Sequence, residues 1–305
     1  MELNHTLFSN MTGIEKIQQL SSLYIVSCGL VSNGVSFIIF KRESFKKQSI
    51  GTYLSWLSIA NIIVLLSLLG KVFQNLEIQW MKTNVYCSIY GYYQYVSLQY
   101  CSWILVLNSF DFMFSLRHKT QRMKKKITQI RPLVIILLVL LVINIPHLCF
   151  SKYNNSIFEC DHADRNIGLL YIDIVDLFVC ILIPFVLMGI TTTIILVRLF
   201  KSRSEGCVQN YKRRLIRKTK FAITVIGLNL LFLIFNLPIC VLLIIKDYRE
   251  LKSIYSNNQS NDSQLDLFLS LSRILMYLYN SSLLIISLIS NRLFRTEFFS
   301  LFKRA

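Results

Sequence analysis

Seven long apolar stretches, alternating with short polar loops, constrain this 305-residue chain more than any other feature. They lie near residues 20–40, 51–73, 86–114, 132–150, 168–199, 219–245 and 267–290. A bilayer core about 30 Å thick needs about 20 helical residues at about 1.5 Å each, and every stretch is about that long or longer. The chain is 54% hydrophobic, 16% charged and has a mean hydropathy of +0.51, unlike a soluble domain of this size. A membrane β-barrel would alternate apolar and polar residues between frequent turns. Four Pro and ten Gly are too few for that. The expected fold is an all-α membrane protein, a seven-helix bundle over 20–290 with no separate soluble domain. The first stretch has no basic segment before it and no small-residue cleavage site after it, so it does not read as a signal peptide.

The loops carry an orientation. Four Lys and Arg follow span one, seven follow span three, nine follow span five and four lie in the tail, 24 of the 33 in the chain. The positive-inside rule places these segments in the cytosol and the N-terminal segment 1–19 outside. Asn-x-Ser/Thr sequons give an independent vote. Asn4, Asn10, Asn154, Asn258 and Asn261 each begin one, and all five fall in regions that the charge count places outside. They are candidate glycosylation sites. Asn280 also begins a sequon but lies inside span seven, beyond the reach of glycosylation. The basic loops flank membrane spans, so they suit anionic lipid head groups or a cytosolic partner, not nucleic acid.

Of the eight cysteines, Cys28, Cys101, Cys180 and Cys240 fall within spans, Cys149 ends span four, and Cys207 lies in a basic loop. Cys87, at the outer end of span three, and Cys160, in the second outer loop, face the oxidising side. A bridge between them would tie that loop over the mouth of the bundle. No Cys/His cluster suggests a metal, and no cofactor is expected.

Several residues, taken in order, resemble the rhodopsin-like family of G-protein-coupled receptors along nearly the whole chain. Asn33 resembles its span-one asparagine. Leu57 to Asn61 resembles its span-two motif, with Asn61 in place of aspartate. Trp80 precedes Cys87 by seven residues, and Asp111 follows it by 24. Pro184 matches the span-five proline, Phe232 and Pro238 match the ends of the span-six F-x-x-C-W-x-P motif, and Phe294 resembles the start of an amphipathic eighth helix over 291–305. The run from Thr52 to Asn61 looks most like invertebrate neuropeptide receptors. The departures are equally specific. Phe112 replaces the arginine of D-R-Y, Asn236 replaces the span-six tryptophan, and Leu283 to Ser287 stand near the place of N-P-x-x-Y. In the family, the missing arginine and tyrosine help form the active cytosolic face. The resemblance also implies a sodium site only where span two supplies a carboxylate, so neutral Asn61 predicts no tight sodium binding.

Charges inside a membrane are costly and mark function or pairing. Asp173 and Asp176 share part of one face of span five, and Arg273 lies in the outer half of span seven. Two readings stand. They line a wet, ligand-binding cavity, or Arg273 forms a salt bridge with Asp173, Asp176 or Asp266. Gln94 holds the position where, by resemblance, amine receptors carry aspartate, and it cannot pair with an ammonium group. Tyr95, Leu98, Leu243 and Tyr277 are candidate cavity walls or plain packing. Asp111 is expected to pair with a loop Lys or Arg. The resemblance implies a plasma-membrane receptor, with no enzymatic role, that binds an extracellular ligand, here expected to be a peptide, and signals to a heterotrimeric G protein. A receptor-shaped decoy that binds without signalling is the alternative. A transporter or channel is a third reading that rests only on polar intramembrane residues. No broken pair of spans is evident to support it.

Overall fold

The computed structural model describes residues 13–46, 48–74, 81–117, 126–154, 159–162, 174–204, 209–256 and 263–303. Span one is the helix Gly13–Phe40, span two Ser49–Gln74 and span three Asn84–Arg117. Span four is broken into Lys126–Ile143 and Ile145–Phe150. Strands β1 (Ser151–Asn154) and β2 (Glu159–His162) follow as an antiparallel hairpin, with Tyr153 opposite Cys160. Span five begins near Ile174, winds as a π-helix over Phe178–Leu182 and continues as Ile183–Ser204. Span six is Gln209–Ser256, span seven is Ser263–Ser281 plus Leu283–Ser290, and the C-terminal helix is Arg292–Phe302.

Among the described residues, five helices are long and apolar enough to cross a membrane, and the bent pair that forms span seven makes a sixth. Span three is the exception, because Tyr, Ser and Gln dilute its apolar residues. Its place in the bundle explains the composition. It packs against spans two, four, five and six, so its polar groups meet protein instead of lipid. Three of its tyrosines donate hydrogen bonds to main-chain carbonyls of neighbours: Tyr90 to Ser67 (3.0 Å), Tyr93 to Ile63 (2.7 Å) and Tyr92 to Leu141 (2.9 Å).

Spans one, two and seven close on each other at a glycine. A Cβ on Gly29 would lie 2.5 Å from a Leu65 methyl and 2.9 Å from the Ser281 Cβ, inside any real contact distance. Leu54, Leu57, Leu65, Ile104, Leu105, Met188 and Ile195 are among the fully buried side chains of the core. At the basic end, Phe294 packs with Phe40 (centroids 5.1 Å) and Phe45 (6.3 Å). Arg42 then clamps the C-terminal helix through Glu297 (2.7 Å) and Ser300, while Ser44 donates to Glu297 (2.6 Å).

Three features differ from the sequence expectation. The basic segment after span five is largely helical: the backbone of span six starts at Gln209, and only 205–208 between the two helices lies outside the described residues. Span four breaks at Asn144, because Pro146 lacks the N–H that would bond the carbonyl four residues earlier and is accommodated in the first turn of the helix that restarts at Ile145. Span seven bends by 53° at Ser282 without any proline. No residue of N-P-x-x-Y is needed for the bend. Ser32 and Asn33 of span one supply its hydrogen bonds. The Ser32 hydroxyl donates to the Ser281 carbonyl (2.7 Å), and Asn33 Nδ2 donates to the Asn280 carbonyl (2.9 Å).

Candidate functional site

The site is built at the end of the bundle that carries the hairpin. Cys87 opens the second turn of span three and bonds to Cys160 of β2, with Cα atoms 5.2 Å apart. The hairpin is stitched down further along the same helix. Ser88 Oγ donates to the Ser151 carbonyl (2.9 Å), and a Cβ on Gly91 would come within 2.8 Å of Ser151 Oγ. One face of span three is thereby committed to holding the hairpin.

Gln94 lies one turn deeper, seven residues from Cys87. Its Nε2 donates to the Tyr277 hydroxyl of span seven at 3.2 Å. Ser67 of span two stands beside the same hydroxyl, and Arg273, one turn before Tyr277 on span seven, is close enough to act on it electrostatically. Tyr277 is buried, while Gln94 and Arg273 are half-buried. Leu98 and Leu243 are half-buried and pack against the core.

Asp176 does not join Arg273. Among the described residues no ion pair links them. The Asp176 carboxylate is 7% exposed and lies 2.6 Å from His147 Nε2, and it accepts from Gln99 Nε2 at 3.1 Å. Gln99 and Asn144 exchange a second pair of hydrogen bonds, at 2.7 and 3.2 Å. The Tyr95 ring stacks on His147 with centroids 3.9 Å apart. A carboxylate, an imidazole and two amides from spans three, four and five therefore hydrogen-bond one another in the core, where a polar group without a partner is costly. Asp173, Trp80, Asn4, Asn10, Asn258 and Asn261 lie outside the described residues, as does the side chain of Asp266. Asn154 ends β1.

His147, Asn144 and Gln99 were missed from sequence. The signal was present: His147 is an ionisable residue inside an apolar run, which by itself points to a partner or a function.

The chain matches the 7 transmembrane receptor (rhodopsin family) over residues 32–283. It belongs to this family. No curated protein matches the chain. As a rhodopsin-family member it is a multi-pass membrane receptor of a non-enzymatic class, whose members in general bind an extracellular ligand and act through a G protein.

The positions aligned with the family motifs are structurally specific in this receptor. Asn33 Nδ2 bonds Gly29 and Asn280 carbonyls, and Asn61 Nδ2 donates to Asn33 Oδ1 at 3.1 Å. Pro184 is the second residue of the helix that continues from the π-helical stretch, and Trp103 of span three donates to the Val179 carbonyl in that stretch (3.1 Å). Such π-stretches recur at functional sites. Phe232 meets Tyr279 edge-on at 5.6 Å. Pro238 lies inside the span-six helix, and Phe294 is fully buried. Asn236, at the family's tryptophan position, is buried and donates to the Phe232 carbonyl of its own helix (2.8 Å). Phe112, at the arginine position, is 8% exposed, and Arg198 of span five donates to the next carbonyl, Met113 O, at 2.8 Å. Asp111 is half-buried and carries an interaction of its own.

Proposed function

We propose that this receptor sits in the plasma membrane with its N-terminus outside and its C-terminus in the cytosol. It takes an extracellular peptide beneath the Cys87–Cys160 hairpin and passes the signal to a heterotrimeric G protein. The observation that carries the reading is the Gln94–Tyr277 hydrogen bond between spans three and seven, with Arg273 one turn away on span seven, at the end of the bundle where the Cys87–Cys160 bridge ties down the hairpin. Polar and charged groups within a membrane span are retained where they face a wet cavity or a partner. A peptide suits this mouth better than a small amine, because Gln94 offers no charge to an ammonium group. Gln94, Tyr95, Leu98, Asp176, Leu243, Arg273 and Tyr277, with Asp173, are the proposed ligand-binding set. In that set Asp176 and Tyr95 act through His147, as residues that hold spans three, four and five in place. The basic loops and the sequons at Asn4, Asn10, Asn154, Asn258 and Asn261 support the orientation. Those five asparagines are proposed to carry glycans.

Bound peptide would favour one arrangement of the helices by its differential affinity for it. The ends of spans three, five and six would then present a basic face to the G protein. The test is nucleotide exchange on a panel of G proteins, with receptor in vesicles and a peptide library as stimulus. Peptide-dependent exchange is the expected result. A second reading, a decoy that binds without signalling, is favoured by buried Phe112 where the family's arginine stands and by Arg198 spanning from span five to Met113. Saturable binding with no exchange on any G protein would establish the decoy and end the signalling reading.

A further inference from the structure

We infer that the cleft recognises a carboxylate on its peptide ligand, seated on Arg273. The inference rests on the receptor reading above and adds the charge of the ligand. Arg273 and Tyr277 are four residues apart on span seven, so they share a face. A guanidinium within an apolar span is held at a free-energy cost unless water or a counter-charge reaches it. Among the described residues Arg273 forms no ion pair. Gln94 donates to the buried Tyr277 hydroxyl one turn further along the same span. The Arg273 guanidinium is itself a planar fork of donors, the arrangement that suits a carboxylate.

The second observation concerns the opposite charge. Asp176 is the carboxylate in this half of the bundle whose surroundings are described, and it is closed to a ligand. His147 and Gln99 occupy its two oxygens, and it is 7% exposed. An ammonium group on a ligand therefore finds no open carboxylate among the described residues, whereas a carboxylate finds Arg273. Both observations point to the same sign of charge.

The experiment uses full-chain receptor in lipid nanodiscs and two tetrapeptide pools. The acidic pool has free C-termini and contains Asp and Glu. Its neutral twin has amidated C-termini, with Asn and Gln at the same places. The expected result is binding from the acidic pool at least about tenfold tighter than from its twin, the scale of one charge-assisted hydrogen bond. Arg273→Gln removes that preference, and Arg273→Lys retains part of it. Arg273→Met, which keeps much of the stem without the charge, also removes the preference and serves as a second variant where Arg273→Gln fails to fold. Equal binding of the two pools, or a preference that survives Arg273→Gln, overturns the carboxylate inference and leaves the receptor reading intact. Binding from neither pool overturns both.

Discussion

Asparagine carries much of the buried polarity of this bundle. Asn33, Asn61, Asn108, Asn144, Asn229, Asn236, Asn280 and Asn291 are each no more than 5% exposed. An amide offers two donors and an acceptor without a charge to desolvate, so it links helices at low cost. Asn229, for example, joins span six to Ser109 of span three (2.8 Å) and Thr192 of span five (3.0 Å). His147 and Asp176 are a different case, because removing one leaves the other stranded. His147→Ala is expected to destabilise the receptor by about 3–5 kcal/mol, the range for breaking a buried pair. His147→Leu with Asp176→Leu should cost less than either single change, since no unpaired group remains. Thermal unfolding in detergent measures both, and a single mutant that melts with wild type would refute the pair's structural role. At Asn61 the expectation concerns sodium. Replacing potassium with sodium should leave the melting temperature unchanged, while a sodium-dependent rise would show a cation site that neutral Asn61 does not explain.

At the scale of elements, what could be read from sequence divides by the range of the interaction. The spans were legible because all but span three, which Tyr, Ser and Gln dilute, are long local runs of strongly apolar residues. The break at Asn144 follows from Pro146 and was legible in principle. The bend at Ser282 was not, because it depends on Ser32 and Asn33, about 250 residues away in the chain. Charge density read the segment after span five as a loop, yet Lys and Arg are good helix formers, and span six simply continues through them. The candidate site divides in the same way. Gln94 was named from its spacing to Cys87 and Tyr277 as a candidate cavity wall or plain packing, and the structure joins them. Asp176 was also named, but its partner His147 sat unnoticed 29 residues away. Ser32→Ala should weaken the seam between spans one and seven by about 0.6 kcal/mol, the average for an interhelical hydrogen bond in a membrane. Hydrogen exchange localised to 278–286 checks this, and unchanged exchange there would remove Ser32 from the bend. Glu297→Ala should release the C-terminal helix from Arg42 and Ser44, read as faster exchange over 292–302 with the transmembrane spans unaffected. Equal exchange in both proteins would mean that the phenylalanine cluster alone holds the helix.

For the whole molecule, the two ends of the bundle differ in chemistry. One end holds the disulfide-tied hairpin above Gln94, Tyr277 and Arg273. The other holds the C-terminal helix and the basic loops. The proposed function depends on which end meets the outside, and charge distribution and sequon placement both favour the hairpin end. Phe112→Arg tests the inner end: it should raise G-protein exchange if the missing arginine limits coupling, and leave exchange unchanged if the limit lies elsewhere, such as at Asn236. The orientation itself is tested most directly by epitope tags placed before residue 13 and between 205 and 208, stained on living cells before and after permeabilisation. The expected result is staining of the N-terminal tag on intact cells and of the 205–208 tag only after permeabilisation. Staining of the 205–208 tag on intact cells would contradict it and place the hairpin and its cleft inside the cell.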